Sequence, residues 1–174
     1  MRFNGRGLAL CTATVLTGLS AGLFAAFGYA VMPGLGQADD RTFVVAMQEI
    51  NKAILNPWFM LAFGGSLIAL ITAAALHRGT RALPWILAAL ALYVVVLGIT
   101  IGVNVPLNDE LEAAGRDAAD LPGARADFED SWVLWNSVRA VVSLAAFALA
   151  AWAPRVPAAA RRGSNRSGFS AAPL

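Results

Sequence analysis

Four long apolar stretches alternate with polar segments along the chain. They run at about residues 7–32, 57–76, 83–105 and 131–153, and Arg139 is the only charged side chain inside them. A helix crosses the roughly 30 Å hydrocarbon core of a bilayer with about 20 apolar residues. The pattern therefore predicts four membrane-spanning helices.

The segments between these stretches predict how the helices begin, end and connect. Residues 42–55 carry apolar side chains at helical spacing and polar ones at the margin, which predicts a short amphipathic helix in the first loop. Pro33 and Gly34 predict the end of the first span, and Pro106 predicts a bend or an end of the third. Because a connection as short as His77–Ala82 joins two of the spans, we expect the spans to pack antiparallel.

Composition and charge agree with a membrane protein and indicate its orientation. Hydrophobic residues make up 58% of the 174 residues and charged residues 14%, against roughly 45–50% and about 25% in soluble domains. The N-terminus, the second loop and the C-terminal segment carry eight arginines and no acidic residue, whereas all eleven acidic residues lie in the first and third loops. Basic segments stay in the cytoplasm, so we expect a multi-pass plasma-membrane protein with both termini cytoplasmic. The pI near 9.2 then reflects topology and not a nucleic-acid partner.

These patterns together define the expected architecture. The fold class is all-α, a four-transmembrane-helix antiparallel bundle with a short amphipathic helix in the first outer loop. Residues 1–153 form one domain, and residues 154–174 form a disordered basic cytoplasmic tail. The triplet Gly28-Tyr29-Ala30 resembles a signal-peptidase site, but a signal peptide has an apolar core of only about 7–15 residues. We therefore expect the longer first span to remain uncleaved.

Arg139 is the outstanding polar residue, because a central arginine costs roughly 2.5–3.5 kcal/mol in a membrane helix. On a helix it belongs to one stripe that runs inward from the outer surface and contains Trp132, Trp135, Asn136, Arg139 and Ser143. A polar stripe at this depth indicates a functional site.

Other segments carry amides that are expected at the same depth. Asn104 and Asn108 are four residues apart at the end of the third span, and therefore share a helix face. Gln48 and Asn51 lie at the margin of the amphipathic helix, beside Met47. All these side chains can converge near the outer end of the bundle and form a polar pocket.

A second interpretation of the same residues is also open. Tryptophans such as Trp58, Trp132 and Trp135 are ordinary at a membrane interface. An arginine near a helix end can extend its charge to water, and asparagines commonly cap helices. In that interpretation the polar cluster is structural and the protein binds a lipid or a partner.

The residue types present limit the chemistry of such a pocket. His77 is the only histidine and is expected in a solvated loop at the opposite end, Cys11 is the only cysteine, and no span contains Asp or Glu. We therefore expect no metal site, no haem and no other cofactor. Amides, indoles and one guanidinium bind and polarise oxyanions, but they are poor general bases.

Four short stretches occur in the order and spacing of a known family. They are Ala21–Ala25 with Val31–Gly34, Ala46–Asn51, Asn104–Asn108 and Trp132–Arg139. The patterns Asn-x-Pro-x-Asn and Trp-x-x-Trp-Asn-x-x-Arg in the last two are the most specific. On these motifs the chain resembles the DUF1772 family, also called the anthrone oxygenase family.

This resemblance implies a small membrane protein and suggests an activity. Fungal members oxidise anthrones to anthraquinones with molecular oxygen and without an evident metal or flavin. Arg139, Asn136, Asn104 and Asn108 would then be the catalytic residues, with Arg139 stabilising an oxyanion. Gln48, Asn51, Met47, Trp132 and Trp135 would bind a lipophilic aromatic substrate. The proton would pass to water or to a loop carboxylate such as Asp109.

Overall fold

The computed structural model describes residues 4–115 and 120–155, and every regular element in them is helical. The α-helices are α1 (Gly5–Ala26), α2 (Met32–Leu35), α3 (Asp40–Ala53), α4 (Pro57–Leu76), α5 (Leu83–Ile99), α6 (Val105–Ala114) and α7 (Leu121–Trp152). One π-helical turn, π1 (Phe27–Val31), joins α1 to α2, and a second, π2 (Thr100–Asn104), joins α5 to α6. A 3-10 turn (Ala153–Arg155) follows α7. The predicted all-α fold is confirmed.

Four helical segments of the described chain are long and apolar enough to cross a membrane, as predicted. They are α1–π1–α2, α4, α5–π2–α6, and α7 with its 3-10 turn. α1 and α5 each pack against both α4 and α7, and the chain order makes every neighbouring pair antiparallel. Lipid-facing surface is evident in large apolar side chains such as Val141 and Ile68, which are 69% and 66% exposed. The part of the predicted tail beyond Arg155 lies outside the described residues.

The predicted end of the first span at Pro33 is wrong, and the third span does not end at Pro106, because both prolines continue their helices. The first segment extends through Pro33 to Leu35, and the third extends through Pro106 to Ala114. A π turn ends two residues before each proline, and the amide of the residue between them bonds to the carbonyl five residues back. A proline inside an α-helix lacks the N–H that would donate to the preceding turn, and its ring clashes with that turn. The wider π turn changes which backbone amide bonds to which carbonyl just before the proline.

The amphipathic helix predicted in the first loop is α3, which lies across one end of the bundle. Asp39 caps it by accepting a hydrogen bond from the Thr42 amide at 3.0 Å. Its apolar stripe is buried, and Phe43 and Met47 have no exposed surface. We call the end that carries α3 the acidic end, because the acidic residues lie there, and the opposite end the basic end.

Arg125 of α7 fixes the start of α3 against the bundle. Its guanidinium donates to Asp40 at 3.0 Å and to the carbonyls of Ala38 and Gly36 at 2.9 and 3.1 Å. It also pairs with Glu129 at 2.6 Å. These contacts tie the connection between α2 and α3 to α7, so the end of the bundle has a defined shape.

The buried apolar side chains form two separate clusters. One fills the basic half of the bundle, from Leu10 and Ala13 to Tyr93. The other lies under α3 at the acidic end and includes Met32, Leu111, Phe128 and Trp132. Polar side chains occupy the level between the two clusters.

His77 differs from its prediction as a solvated loop residue. It is only 8% exposed, and its Nδ1 lies 2.8 Å from the Ala73 carbonyl. His77 directly follows the last residue of α4 and caps this helix. Its ring lies against the last helical turn instead of extending into solvent.

Substitutions at Gly18 and Gly22 of α1 test how closely this helix packs against α7. A Cβ atom at Gly18 would lie 3.0 Å from the ring of Phe147 in α7, whereas one at Gly22 would meet nothing within 4 Å. We expect Gly18→Val to lower the free energy of unfolding by about 1–3 kcal/mol, because it overpacks the contact of α1 with α7. Gly22→Val is the matched control and should cost less in the same denaturation titration in detergent. Equal losses would contradict the contact.

The predicted orientation can be tested with single cysteines in a Cys11→Ser background. Glu110→Cys lies at the acidic end and Thr80→Cys between α4 and α5 at the basic end. A membrane-impermeant maleimide added to intact cells should label only the cysteine at position 110, because the arginine-rich end stays in the cytoplasm. Labelling at position 80 should require permeabilisation. The reverse pattern would show that the orientation is inverted.

Candidate functional site

A cavity of about 290 Å³ lies between the two apolar clusters and reaches the surface at the acidic end. Its volume is close to the lower end of the roughly 300–1,000 Å³ typical of small-molecule sites. Side chains from every part of the acidic half line it, and those used below are Phe24, Phe27, Asn51, Lys52, Leu55, Phe59, Thr100, Asn104, Asn108, Asp109, Glu112, Trp132, Asn136 and Arg139.

One face of α7 supplies the polar floor of the cavity. An α-helix turns about 100° per residue, so Trp132, Asn136 and Arg139 lie within about 60° of one another. All three are buried, with exposed fractions of 4%, 1% and 6%. These three members of the predicted stripe on the fourth span therefore point into the bundle.

The guanidinium of Arg139 is held by polar groups on two helices. Nη2 donates to Asn136 Oδ1 at 3.0 Å, and Nη1 donates to Thr100 Oγ1 at 3.4 Å. Among the described residues, no carboxylate lies within ion-pair distance of it. Arg139 is thus a buried cation whose protein partners are all neutral.

Aromatic rings surround this cation. The guanidinium carbon lies 4.5 Å from the centroid of Phe24 and 5.5 Å from that of Trp132. Such contacts stabilise a desolvated cation through the negative face of each ring. Phe27 packs on Trp132 at 5.7 Å, and Phe59 from α4 adds a further ring to the cavity wall. The cavity therefore combines flat apolar walls with one positive charge.

Asn136 links Arg139 to α1. Its Oδ1 accepts from Arg139, and its Nδ2 donates to the Phe24 carbonyl at 3.0 Å. Both functions of the amide are thus used inside the protein. The carbonyl of Phe24 lies one turn before π1, where the helical bonding register of α1 changes.

The second polar wall comes from π2 and α6. Thr100, Asn104, Asn108 and Glu112 follow each other at four-residue steps, and all line the cavity. In a regular α-helix, side chains four residues apart differ in direction by about 40° around the helix axis. The π turn contains an additional residue and therefore reduces the total rotation along the series. A π turn at this position thus keeps the four side chains on the cavity.

The mouth of the cavity is charged and bordered by exposed apolar residues. Lys52 of α3 pairs with Glu112 of α6 at 2.6 Å, and each side chain is about half exposed. Asp109 lies on the same wall and is exposed. Leu55 and Trp58 beside the mouth are 70% and 80% exposed. The surface around the cavity thus combines one ion pair with exposed apolar side chains.

Several buried polar atoms in the described residues have no hydrogen-bond partner. Three belong to side chains that line the cavity: Arg139 Nε, Asn104 Oδ1 and Asn51 Nδ2. Two others, Gln48 Oε1 and Ser143 Oγ, lie elsewhere. Since buried polar groups are nearly always paired, three unpaired atoms on side chains of the cavity wall mark it as a place where the bonding of the bundle is incomplete.

Six of the nine residues predicted for the site line the cavity. These are Asn51, Asn104, Asn108, Trp132, Asn136 and Arg139. The other three do not. Gln48 donates to the Leu111 carbonyl at 2.8 Å and fastens α3 to α6, while Met47 is fully buried in the cluster beneath α3. The structure does not bring these two side chains to the cavity, because their side of α3 packs against protein, and their part in binding a substrate stays a prediction.

Trp135 also lies outside the cavity, so the structure does not bring it together with the other predicted site residues. It is about 60° from Trp132 around the helix axis and about 100° from Asn136, which turns it toward the surface, where it is 37% exposed. Trp58 is likewise exposed, and its neighbour Phe59 contributes the ring to the cavity.

The structure adds cavity residues that the sequence analysis did not select. Thr100 continues the four-residue spacing of Asn104 and Asn108 toward the basic end, so that spacing could have identified it. Phe27 and Phe59 are ordinary apolar residues of spans, and nothing in their local sequence separates them from other core positions. Phe24 lies in the family stretch Ala21–Ala25 but carries no polar group that would mark it as a site residue. Only the approach of three helices makes them a wall.

No cluster of three or more His, Cys, Asp or Glu in the described residues is arranged to hold a metal ion. The groups that can act on a ligand here are the guanidinium, the amides and the aromatic faces. Together they can bind a flat molecule and stabilise negative charge on one of its oxygens.

Comparison with known families identifies one match. The model of the anthrone oxygenase family matches residues 47–149, which is more than half of the chain. This range includes α3 from Met47 onward, both specific motifs and the polar faces of π2 and α7. Neither a curated protein nor a solved structure matches the chain.

The hydrogen bond between Asn136 and Arg139 can be measured by a double-mutant cycle. We expect Asn136→Leu and Arg139→Met to show a coupling free energy of about 1–2 kcal/mol in denaturation titrations in detergent. The physical reason is that either change leaves a buried polar partner unpaired.

Ser137 provides the matched control for this cycle. Its hydroxyl donates to Val133 of its own helix and is exposed, so Ser137→Ala should show no coupling to Arg139→Met. Coupling of the same size in both cycles would contradict a specific contact between Asn136 and Arg139.

Proposed function

The chain belongs to the DUF1772, or anthrone oxygenase, family, and we propose that it is a membrane-embedded, cofactor-independent oxygenase. Its substrate would be a planar phenolic aromatic compound, similar to an anthrone or a quinol. The substrate would bind in the cavity between π2 and α7, at the acidic end of the bundle. In the proposed orientation this end faces the outer leaflet of the plasma membrane, and both termini are cytoplasmic.

The observation that carries the proposal is the environment of Arg139. Arg139 is 6% exposed as a residue, lines the cavity, has no carboxylate partner in the described residues and keeps its Nε unpaired. A buried cation without a counter-ion favours binding of an anion or of a group that becomes one. Family membership makes an anthrone or a related phenol the natural choice of that group.

The proposed reaction needs stabilisation of one negative charge. An anthrone loses a proton from its methylene carbon, and the resulting charge spreads onto the carbonyl oxygen. The carbanion adds to O₂ and reduces it to a peroxide bound to the carbon. Protonation of this peroxide gives a hydroperoxide, and loss of water from the hydroperoxide leaves a second carbonyl. The balance is one anthrone and one O₂ to one anthraquinone and one water.

The cavity residues have separate roles in this proposal. Arg139 would stabilise the oxyanion through a preorganised donor in a site of low dielectric. Trp132 and Phe27 would hold the ring system through their flat faces. Asn136 positions Arg139, and Asn104, Asn108 and Asn51 orient the polar substituents. Water at the mouth, or Asp109 acting through water, would receive the proton.

A non-enzymatic role in binding a lipid or a partner is the second candidate. It is favoured by the two guanidinium nitrogens that Thr100 and Asn136 already hold, because these contacts would also suit a structural arginine. The unpaired Nε and the accessible cavity favour the oxygenase, since a purely structural network would be closed and fully bonded.

We expect the purified protein in detergent to convert anthrone to anthraquinone under air and not under nitrogen. Arg139→Ala should lower the rate above the spontaneous background by at least about 100-fold, which is typical of the loss of an oxyanion donor. Protein-free micelles set the background, and a denaturation titration establishes that the variant is folded. Equal rates for wild type, the folded variant and empty micelles would rule out this reaction.

A pair of tryptophan variants places the reaction in the cavity. Trp132→Leu should reduce the same activity, because it removes the ring that packs beside Arg139. Trp135→Leu, on the same helix but outside the cavity, should retain it. Loss of activity in both variants to the same extent would point to a general defect in α7.

A further inference from the structure

The basic end of the bundle carries exposed arginines at all three places where the described chain reaches it. Arg6 lies in the first turn of α1, Arg78 and Arg81 lie between α4 and α5, and Arg155 lies in the 3-10 turn after α7. None of the four forms an ion pair within the described ranges. The positive charge of this end is therefore not balanced by the part of the protein that the structure describes.

From these arginines and the apolar side chains next to them, we infer that the basic end binds anionic phospholipids through their headgroups. We call Arg6, Arg78, Arg81 and Arg155 together the arginine surface. The inference goes beyond the proposed oxygenase function and does not rest on it, because the cavity lies at the acidic end.

The arginine surface borders apolar side chains that face outward. Within four residues of every arginine lies a large apolar side chain that is 39–57% exposed, and these are Leu8, Leu76, Trp85 and Trp152. Tryptophan is enriched at the boundary between hydrocarbon and headgroups. An exposed cation next to an exposed apolar side chain is complementary to a ligand with a negative group attached to a hydrocarbon chain. A phospholipid has both parts, whereas a nucleic acid or free phosphate matches only the charge.

A tight turn carries two of the arginines. The amide and the hydroxyl of Thr80 both donate to the His77 carbonyl, at 3.0 and 2.8 Å. Gly79 has a φ of 75°, a left-handed conformation that a residue without Cβ adopts readily. Arg78 and Arg81 flank this pair of residues. The two positive charges are therefore attached to a short backbone segment with a defined shape.

The end of α7 brings a third arginine to the same region. Ala82, directly after Arg81, and Ala153, two residues before Arg155, are buried in one apolar cluster, and the 3-10 turn contacts α5. The guanidinium of Arg155 donates to the Ala151 carbonyl, which leaves its charge unneutralised. Three guanidiniums are thus carried by neighbouring segments of backbone.

Helix dipoles do not set the potential at this end. α1 and α5 begin here, whereas α4 and α7 end here, so two partly positive and two partly negative helix ends offset each other. The arginines therefore decide which headgroup is preferred. Phosphatidylcholine carries a cation beside its phosphate and phosphatidylglycerol does not, so we expect the arginine surface to select phosphatidylglycerol.

Quenching of tryptophan fluorescence by brominated lipids tests this inference. The purified full chain is reconstituted in bilayers of phosphatidylglycerol and phosphatidylcholine in equal amounts, with bromine on the acyl chains of either one lipid or the other. Phosphatidylglycerol should quench as though it bound at least about fivefold more tightly, because one basic side chain near an anionic bilayer surface contributes about this factor. Salt screens exposed charges, so the preference should fall as the salt concentration rises.

Variants of the turn between α4 and α5 locate the preference. Arg78→Gln/Arg81→Gln should lower it at least about threefold, since Arg6 and Arg155 remain. Arg78→Lys/Arg81→Lys keeps both charges and should retain it. An unchanged preference in the folded glutamine variant would contradict the inference.

Two further variants control for net charge and for the origin of the signal. Arg41→Gln/Lys52→Gln removes two positive charges at the acidic end and should leave the preference in place. Trp85→Phe/Trp152→Phe removes the fluorescent rings beside the arginine surface and should reduce the difference between the two bilayers. An equal loss of preference in the acidic-end variant and in Arg78→Gln/Arg81→Gln would assign it to the net charge of the chain, which overturns the inference.

The result for the wild-type chain decides between a lipid and a soluble anion. Equal quenching by the two lipids would overturn the inference. A preference that inorganic phosphate removes, while chloride at the same ionic strength does not, would identify a soluble anion as the ligand and would also overturn it. Neither result bears on the proposed oxygenase, which is tested by turnover of anthrone at the other end of the molecule.

Discussion

A single positive charge buried in an apolar helix bundle is the constraint on which the acidic half of this protein depends. Because desolvating a guanidinium is costly, the surrounding structure must supply compensating contacts. Neutral amides and hydroxyls, together with the faces of Phe24 and Trp132, supply them without a carboxylate in the described residues. These contacts stabilise the charge but do not neutralise it.

The cavity exists because the two apolar clusters do not meet around this charge. Helix α7 continues through both clusters, while two of the other three long segments change their hydrogen bonding at π1 and π2. Each π turn precedes a proline and keeps its helix continuous, so that amides from Asn104 to Asn108 reach the cavity. The same local irregularity thus accommodates the proline and positions polar side chains.

Helix α3 closes the acidic end and gives the cavity its mouth. It is fixed by contacts that have no direct part in the proposed chemistry, chiefly those of Arg125 and Gln48 with backbone carbonyls. One margin of α3 then presents Asn51 to the cavity. The opposite side, which carries Met47, packs against protein. The side of α3 on which a residue lies therefore decides whether it lines the cavity or packs against protein.

The sequence alone determined the four spans, the amphipathic helix, the inward stripe on the fourth span and the family motifs. These follow from local rules, namely the lack of charge over a bilayer thickness and the spacing of side chains on a helix. Tertiary structure decided which member of a stripe meets which neighbour. Periodicity places Trp132 and Trp135 within about 60° of each other, but only the packing of α1 and α5 against α7 puts one in the cavity and leaves the other toward the surface. Phe24 and Phe59 become a binding wall for the same reason, since a cavity belongs to several helices and is encoded in none of them singly.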